Sequence, residues 1–226
     1  MLLRALGLLA IVLGSTLSVH AEDYTIEKLE QEAPKELDAA LRAAMAKTGY
    51  RVLKDGKAFA EFWWLAAAPA ASKPSGPNGT ILFPVLEEGQ LLGALRYVAE
   101  GQDYRDQAIP EGVYTLRYGL QPINGAHLGV SPFRDYALLL PASKDKSLDK
   151  LAKKGLEERS AEAAGTSHPA VLMLLNPPEG EPKSPSMAFD DTKQTWGAVV
   201  ALPLAVKGGE AASLNVQLVV SGAAAP

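Results

Sequence analysis

The sequence predicts a mainly β protein, an antiparallel β-sandwich of jelly-roll or Ig-like type, with an N-terminal helix and one helical insertion. Three observations predict this fold class. From Thr80 onward the chain is a series of short apolar runs separated by turn residues. Several runs alternate apolar and polar residues, as half-buried strands do. Only two segments have helical periodicity, and they do not alternate with strands, which favours an antiparallel arrangement over a parallel sheet.

Residues 1–21 have the layout of a secretory signal peptide. Arg4 precedes an apolar core, and Val19-His20-Ala21 resembles a small-x-small cleavage site. Because the apolar run is short for a bilayer, we favour a cleaved signal over an N-terminal anchor. We therefore expect a mature chain beginning at Glu22, no stable membrane span after cleavage, and a periplasmic or extracellular location.

Residues 22–49 are predicted to form an N-terminal helical segment. Leu37, Leu41 and Met45 repeat at helical spacing, and Gly49 is a suitable residue at which the helix can end.

Residues 50–222 are predicted to form the β-sandwich domain. Asp55-Gly56 is a hairpin signal between two strands, and "VYTLRYGL" alternates apolar and polar positions. The helical insertion is expected within "SLDKLAKKGLEERSAEAAG", bent or broken near Gly155. Residues 223–226 are expected to be a disordered tail.

Composition narrows the class of protein. The chain has no cysteine, so its core must hold without disulfides, and both thiolate metal sites and cysteine nucleophiles are excluded. The net charge is −4, and no clustered basic stripe is present, so we expect no nucleic-acid partner. The stretch "KDKSLDKLAKKG" interleaves Asp145 and Asp149 with its lysines and is predicted to be a solvated helix face.

Histidines are scarce, which limits metal and nucleophilic chemistry. Without the signal peptide only His127 and His168 remain, each beside turn residues. With one carboxylate they could form a two-histidine metal site, but no spacing places both on one face of an element. Ser131 could combine with His127 and Asp135 as a triad, yet the three share one loop and the chain has no nucleophile elbow. We predict that the histidines bond to loop backbone, and we predict no metal and no cofactor.

Two Arg-Asp dipeptides are further candidates. In Arg105-Asp106 and Arg134-Asp135, neighbours in an extended strand point to opposite faces, so neither pair can bridge to itself. Cross-strand pairs, Arg134 with Asp106 or Arg105 with Asp135, would fix strand register through a guanidinium fork on a carboxylate. In a cleft, the same arginine would bind an anionic ligand. We favour the structural pairing.

The stretch "FAEFWW" offers a second kind of site. Glu61 and Trp63 share one face of the predicted strand, and Trp64 lies on the other. Adjacent tryptophans on an edge strand could stack on a sugar. Core packing is the interpretation that we favour, because aromatic side chains commonly fill sandwich cores.

A longer stretch carries a resemblance. Residues 103–141, which read "DYRDQAIPEGVYTLRYGLQPINGAHLGVSPFRDYALLLP", and the later "HPAVLML" form a recognisable core. This core resembles that of a group of uncharacterised exported bacterial β-sandwich proteins, and it covers roughly residues 100–175. The resemblance implies an extracytoplasmic β-sandwich. It implies no catalytic residue, since that group has no assigned activity.

Together these features predict an exported, non-catalytic binding or structural module at the cell envelope, with an envelope protein or a glycan as ligand. The alternative is a hydrolase or metal-dependent enzyme. Its site would lie around His127, Arg134 and Asp135, with help from His168, Asp103 or Glu61.

Overall fold

The structure is a computed structural model that describes residues 23–123, 131–180 and 183–222. The predicted signal peptide and the predicted tail, residues 223–226, lie outside the described residues. Within the described part the chain forms thirteen strands: β1 Tyr24–Leu29, β2 Gly49–Lys54, β3 Lys57–Trp64, β4 Ala68–Ala70, β5 Leu91–Tyr97, β6 Gly101–Gln102, β7 Ala108–Ile109, β8 Gly112–Leu120, β9 Asp135–Pro141, β10 Val171–Leu175, β11 Ser186–Asp190, β12 Thr195–Val206 and β13 Ala211–Ser221. It also forms two helices, α1 Ala39–Ala44 and α2 Lys153–Ala164.

Eleven of the strands belong to one sheet. Ten of them follow the order β1-β2-β3-β5-β8-β9-β10-β13-β12-β11 with antiparallel neighbours, and β4 pairs with β12 in parallel. The sheet is therefore mixed, and the prediction of a purely antiparallel sheet was wrong. The remaining two strands, β6 and β7, form a small hairpin of their own.

The large sheet curls into a half-barrel, and its two ends approach each other. The Tyr24 ring on β1 lies 5.6 Å from the Trp196 ring on β12, and the Tyr24 hydroxyl donates to Ser221 Oγ at 3.1 Å. The mainly β class is confirmed, whereas the two facing sheets of a sandwich are not. Alternating strands bury one face in either architecture, so the pattern alone cannot distinguish a second sheet from the far side of the same one.

The main core lies on the inner face of the curl, which we define by Tyr118 on β8 and Ala137 on β9. Residues 80–86 cross this inner face as a plug, and Leu82, Phe83, Val85 and Leu86 are buried in the core there. Asp135 holds the plug: its carboxylate accepts hydrogen bonds from the backbone N–H groups of Leu82 at 2.8 Å and Phe83 at 3.1 Å. The Tyr118 hydroxyl donates to the same carboxylate at 2.5 Å.

The N-terminal segment that was predicted to be helical, residues 22–49, is only partly helical. Six of its residues form β1, which pairs along its whole length with β2, and α1 is only six residues long. Asp38 begins α1 by accepting from the backbone N–H of Ala40, and Met45 ends it by bridging to Leu65. Leu37, Leu41 and Met45 are buried, but β1 pairs with β2 and Met45 bridges to Leu65, so only six residues of the segment are helical.

Helix α2 lies within the predicted insertion. It begins at Lys153, so Gly155 belongs to its first turn and does not bend it. It ends at Gly165, whose φ of 64° is in the left-handed region. The buried Ser160 anchors the helix to the sheet, because its hydroxyl donates to the carbonyl of Ala170 and accepts from the N–H of Ala170, both at 3.0 Å. No helix in the described part of the chain is long and apolar enough to cross a bilayer.

Tyrosine burial predicts how the fold responds to alkali. Burial raises the pKa of six of the seven tyrosines, most strongly Tyr97, Tyr118 and Tyr136. Above pH about 10 the unfolded chain ionises its phenols while the folded chain keeps these protonated, so stability falls as pH rises. We expect phenolate absorbance to appear in one cooperative step together with the loss of circular dichroism. A gradual titration near pH 10 with unchanged circular dichroism would contradict this.

Candidate functional site

A cleft lies between α2 and the outer face of strands β8, β9 and β10, on the opposite side of the sheet from the main core. We call it the outer cleft, and its volume is about 590 Å³. Its apolar lining includes Leu138 from β9, Leu156 from α2 and Val171 from β10. Gly119 on β8 leaves room for the Leu138 side chain, because a Cβ at this glycine would come within 2.2 Å of Leu138 Cδ1.

Asp103 builds one end of the outer cleft. Its carboxylate is buried and accepts from the backbone N–H groups of Arg105 at 2.8 Å, Gln107 at 2.9 Å and Val171 at 3.1 Å. The side-chain amide of Gln107 donates to the same carboxylate at 2.8 Å and to the carbonyl of Pro169 at 3.2 Å. These bonds fix the turn that carries Arg105 against the segment that carries His168.

Arg105 and His168 are both exposed and both line this end of the cleft. Beside them the buried Tyr104 and Tyr136 rings lie 6.2 Å apart. Burial raises the pKa of Tyr136 above its ordinary value, and the positive charge of Arg105 opposes that rise. This end therefore combines aromatic surface with a cationic side chain.

The other charged groups of the cleft are paired. Lys153 contacts Glu88 at 2.9 Å and Glu157 at 3.2 Å. Burial alone would lower the pKa of Lys153, but the bonds to the two glutamates raise it overall, so the lysine stays charged and compensated. Among the described lining residues, Arg105 is the one arginine or lysine that has no carboxylate within 4.0 Å.

The predicted cross-strand pairs of the Arg-Asp dipeptides do not form. Arg134 donates through Nε to the carbonyl of Gln121 at 2.7 Å, and Asp135 faces the plug. Asp106 accepts from the side-chain amide of Gln102 within the small hairpin. The prediction was wrong because Asp135 is used by backbone donors from residues that are distant in sequence.

Glu61 forms the cross-strand ion pairs that the two Arg-Asp dipeptides do not form. It is buried on β3 and accepts from Arg51 Nη2 at 2.7 Å, with Arg96 Nη1 at 3.7 Å. Glu27 extends the row to β1 at 3.5 Å from Arg51. The row of alternating charges crosses four strands, so Glu61 has a structural environment away from the outer cleft.

Trp63 is also part of the core. It is 2 % exposed, as is Trp64, and its indole N–H donates to the carbonyl of Gln31 at 2.8 Å. Strand β3 lies between β2 and β5, so it is not an edge strand. The hypothesis of a tryptophan platform for sugars was therefore wrong, and core packing, the favoured interpretation, describes both residues.

The remaining histidine hypotheses can be placed only in part. His127 lies outside the described residues, and with it the two-histidine site and the triad. Ser131 accepts from the backbone N–H of Phe133 at 3.1 Å, and the oxygens of Asp135 are occupied as described above. Within residues 23–123, 131–180 and 183–222, no group of three or more histidine, aspartate or glutamate side chains could hold a metal ion.

The sequence analysis missed a buried ion pair that joins β8 to the segment between β9 and α2. Arg117 and Asp145 are both 0 % exposed, and Arg117 Nε and Nη2 bond to the two carboxylate oxygens at 2.6 and 2.8 Å. The other guanidinium N–H groups reach the carbonyls of Gly89, Ser147 and Asp149, so all five donors are used. The prediction that Asp145 lies on a solvated helix face was wrong. The polar face of β8, which carries Arg117 and Thr115, was the available signal.

Comparisons with family models, with curated proteins and with solved structures give no match to this chain.

Proposed function

We propose that the chain is an exported, non-catalytic binding protein of the cell envelope that holds a small molecule in the outer cleft. The cleft itself carries the proposal. Its volume is within the range of about 300–1,000 Å³ that ligand sites occupy, and its apolar floor with a few polar groups is typical of such sites. Export rests on the signal-peptide pattern of residues 1–21 and on the resemblance to exported proteins.

The hydrogen bonding of the buried carboxylates favours a binding function over hydrolysis. Asp103 accepts four hydrogen bonds, Asp135 accepts three, and Asp145 pairs with Arg117 and Thr115. A carboxylate whose oxygens are occupied by internal donors is a poor nucleophile or general base, because attack would break those bonds first. The alternative, an enzyme around His127, Arg134 and Asp135, would have to use an Asp135 that faces the plug.

Filling the cleft tests the proposal. Ala161 lines the cleft from α2, so Ala161→Trp should occupy it with an indole. We expect neutral and charged fragments to shift the amide resonances of Leu138 and Ala161 in nuclear magnetic resonance (NMR) spectra of the parent chain. We expect the variant to weaken binding at least about tenfold, as one side chain replaces the ligand's contacts.

Lys154→Trp is the matched control, since it adds the same ring to the same helix at a side chain that is 87 % exposed. Its spectra should show unchanged fragment binding. The proposal fails if no fragment shifts resonances of the cleft, or if Ala161→Trp folds and binds the fragments as the parent chain does.

A further inference from the structure

We infer that the ligand of the outer cleft is an anionic amphiphile, with one carboxylate or phosphate held by Arg105 and an apolar body lying on the cleft floor. This inference rests on the proposed function and adds the chemical class of the ligand to it.

The sign of the charge follows from the pairing within the cleft. Lys153 is satisfied by Glu88 and Glu157 at one end, whereas Arg105 has no carboxylate within 4.0 Å in the described part of the chain. An anion placed at Arg105 would meet an uncompensated positive charge. The three glutamates of the lining each have a lysine partner, Lys153 for Glu88 and Glu157 and Lys154 at 3.9 Å for Glu158, so a cation would compete with those lysines. The guanidinium also offers a planar fork that fits carboxylate and phosphate oxygens.

The position of Arg105 is set before any ligand arrives. Asp103 bonds to the backbone N–H of Arg105, and Gln107 ties the same turn to Pro169 beside His168. Because these contacts use the backbone, the guanidinium itself stays available. Because the backbone that carries the guanidinium is already fixed, less conformational entropy is lost when a ligand binds to it.

The apolar lining of the cleft floor indicates that the ligand also has an apolar body. Aliphatic lining comes from the half-buried Val171 and from Leu138 and Leu156, which are 5 % and 1 % exposed, and the buried Tyr104 and Tyr136 supply aromatic lining next to the cationic end. A small inorganic anion would leave this surface in contact with water. An acyl or aryl body attached to the anion would cover it and add hydrophobic stabilisation.

Isothermal titration calorimetry of the full chain can test the inference with four probes that share one alkyl body: dodecanoate, dodecyl phosphate, dodecanol and dodecyltrimethylammonium, all below micelle-forming concentrations. We expect the two anions to bind at least about tenfold more tightly than the alcohol or the cation, as a charge-assisted bond implies. The ratio between the two anions distinguishes a fatty-acid-like ligand from a phosphate-bearing one.

Arg105→Gln should reduce this preference, weakening both anions about tenfold and leaving dodecanol unchanged. Arg105→Lys keeps the charge without the fork and should give an intermediate loss. Arg159→Gln, on α2 but outside the cleft lining, is the matched control and should leave all four affinities unchanged. Thermal melting of each variant confirms that it is folded.

The outcomes separate this inference from the proposed function. Equal binding of alcohol and anions, or an Arg105→Gln variant that binds anions as the parent does, overturns the anionic class; if Ala161→Trp still blocks the alcohol, the cleft remains the binding site. If none of the four probes binds in the cleft, the inference that the ligand is an amphiphile is overturned. The proposed function would still stand if fragments shift resonances of the cleft and Ala161→Trp abolishes those shifts. If no such shifts are seen, the proposed function fails too.

Discussion

Arg117→Met is expected to destabilise the protein by about 3–5 kcal/mol, the cost of leaving one partner of a buried ion pair without the other. Both Arg117 and Asp145 are fully buried, so water cannot solvate the remaining carboxylate. The variant also removes the guanidinium donors to the carbonyls of Ser147 and Asp149, and one of the two donors to the carbonyl of Gly89. Urea denaturation followed by circular dichroism measures the loss.

A double-variant cycle shows whether the ion pair itself is responsible. Asp145→Asn alone should also be strongly destabilising, and the combined Arg117→Met/Asp145→Asn variant should lose less than the sum of the two single losses. Lys154→Met, at an exposed pair with Glu158, should change stability by no more than about 0.5 kcal/mol. A loss below about 1 kcal/mol for Arg117→Met, or additive losses, would contradict the role given to the pair.

Asp135→Ala is expected to cost about 3 kcal/mol, because it leaves two buried backbone N–H groups without their acceptor and leaves the Tyr118 hydroxyl with only the carbonyl of Phe83 at 3.5 Å. The plug, residues 80–86, should then detach locally before the sheet unfolds. Hydrogen exchange of the Leu82 and Phe83 amides measures this directly, and their protection should fall more than that of amides in β12 or β13.

Asp191→Ala is the control for Asp135→Ala, since Asp191 lies in an exposed turn. It should change neither the stability nor the exchange of the plug. Unchanged protection of Leu82 and Phe83 in Asp135→Ala would show that the plug is held by apolar packing alone.

The sequence predicted much of the local structure, and long-range contacts decided the rest. The alternation of "VYTLRYGL" correctly placed Tyr118 on the opposite face of β8 from Arg117. Whether the sheet would meet a second sheet or curl onto itself depends on contacts such as Tyr24 with Trp196, which a local pattern does not encode. The N-terminal strand Tyr24–Leu29 was missed because its pairing with β2 is a long-range contact, and the helical spacing of Leu37, Leu41 and Met45 lies after it in the chain.

The sequence identified several residues of the candidate site but did not show where in the fold they lie. Arg105, His168 and Asp103 were singled out from scarce or charged residues near turns, and the structure brings their backbones together at one end of the outer cleft. The bonds that do so join positions more than sixty residues apart, so no local spacing could reveal them. Glu61 and Trp63 were singled out because they lie in an unusual aromatic stretch. Each forms its side-chain hydrogen bonds away from the outer cleft.

The central claim is that the outer cleft holds the apolar body of a ligand whose anionic group lies on Arg105. Isotope-filtered nuclear Overhauser spectra of the full chain with dodecanoate test it most directly. We expect the methylene protons of the probe to give contacts to the methyl groups of Leu138 and Leu156. Contacts confined to methyl groups of the inner face, such as those of Val200 and Leu202, would contradict the claim.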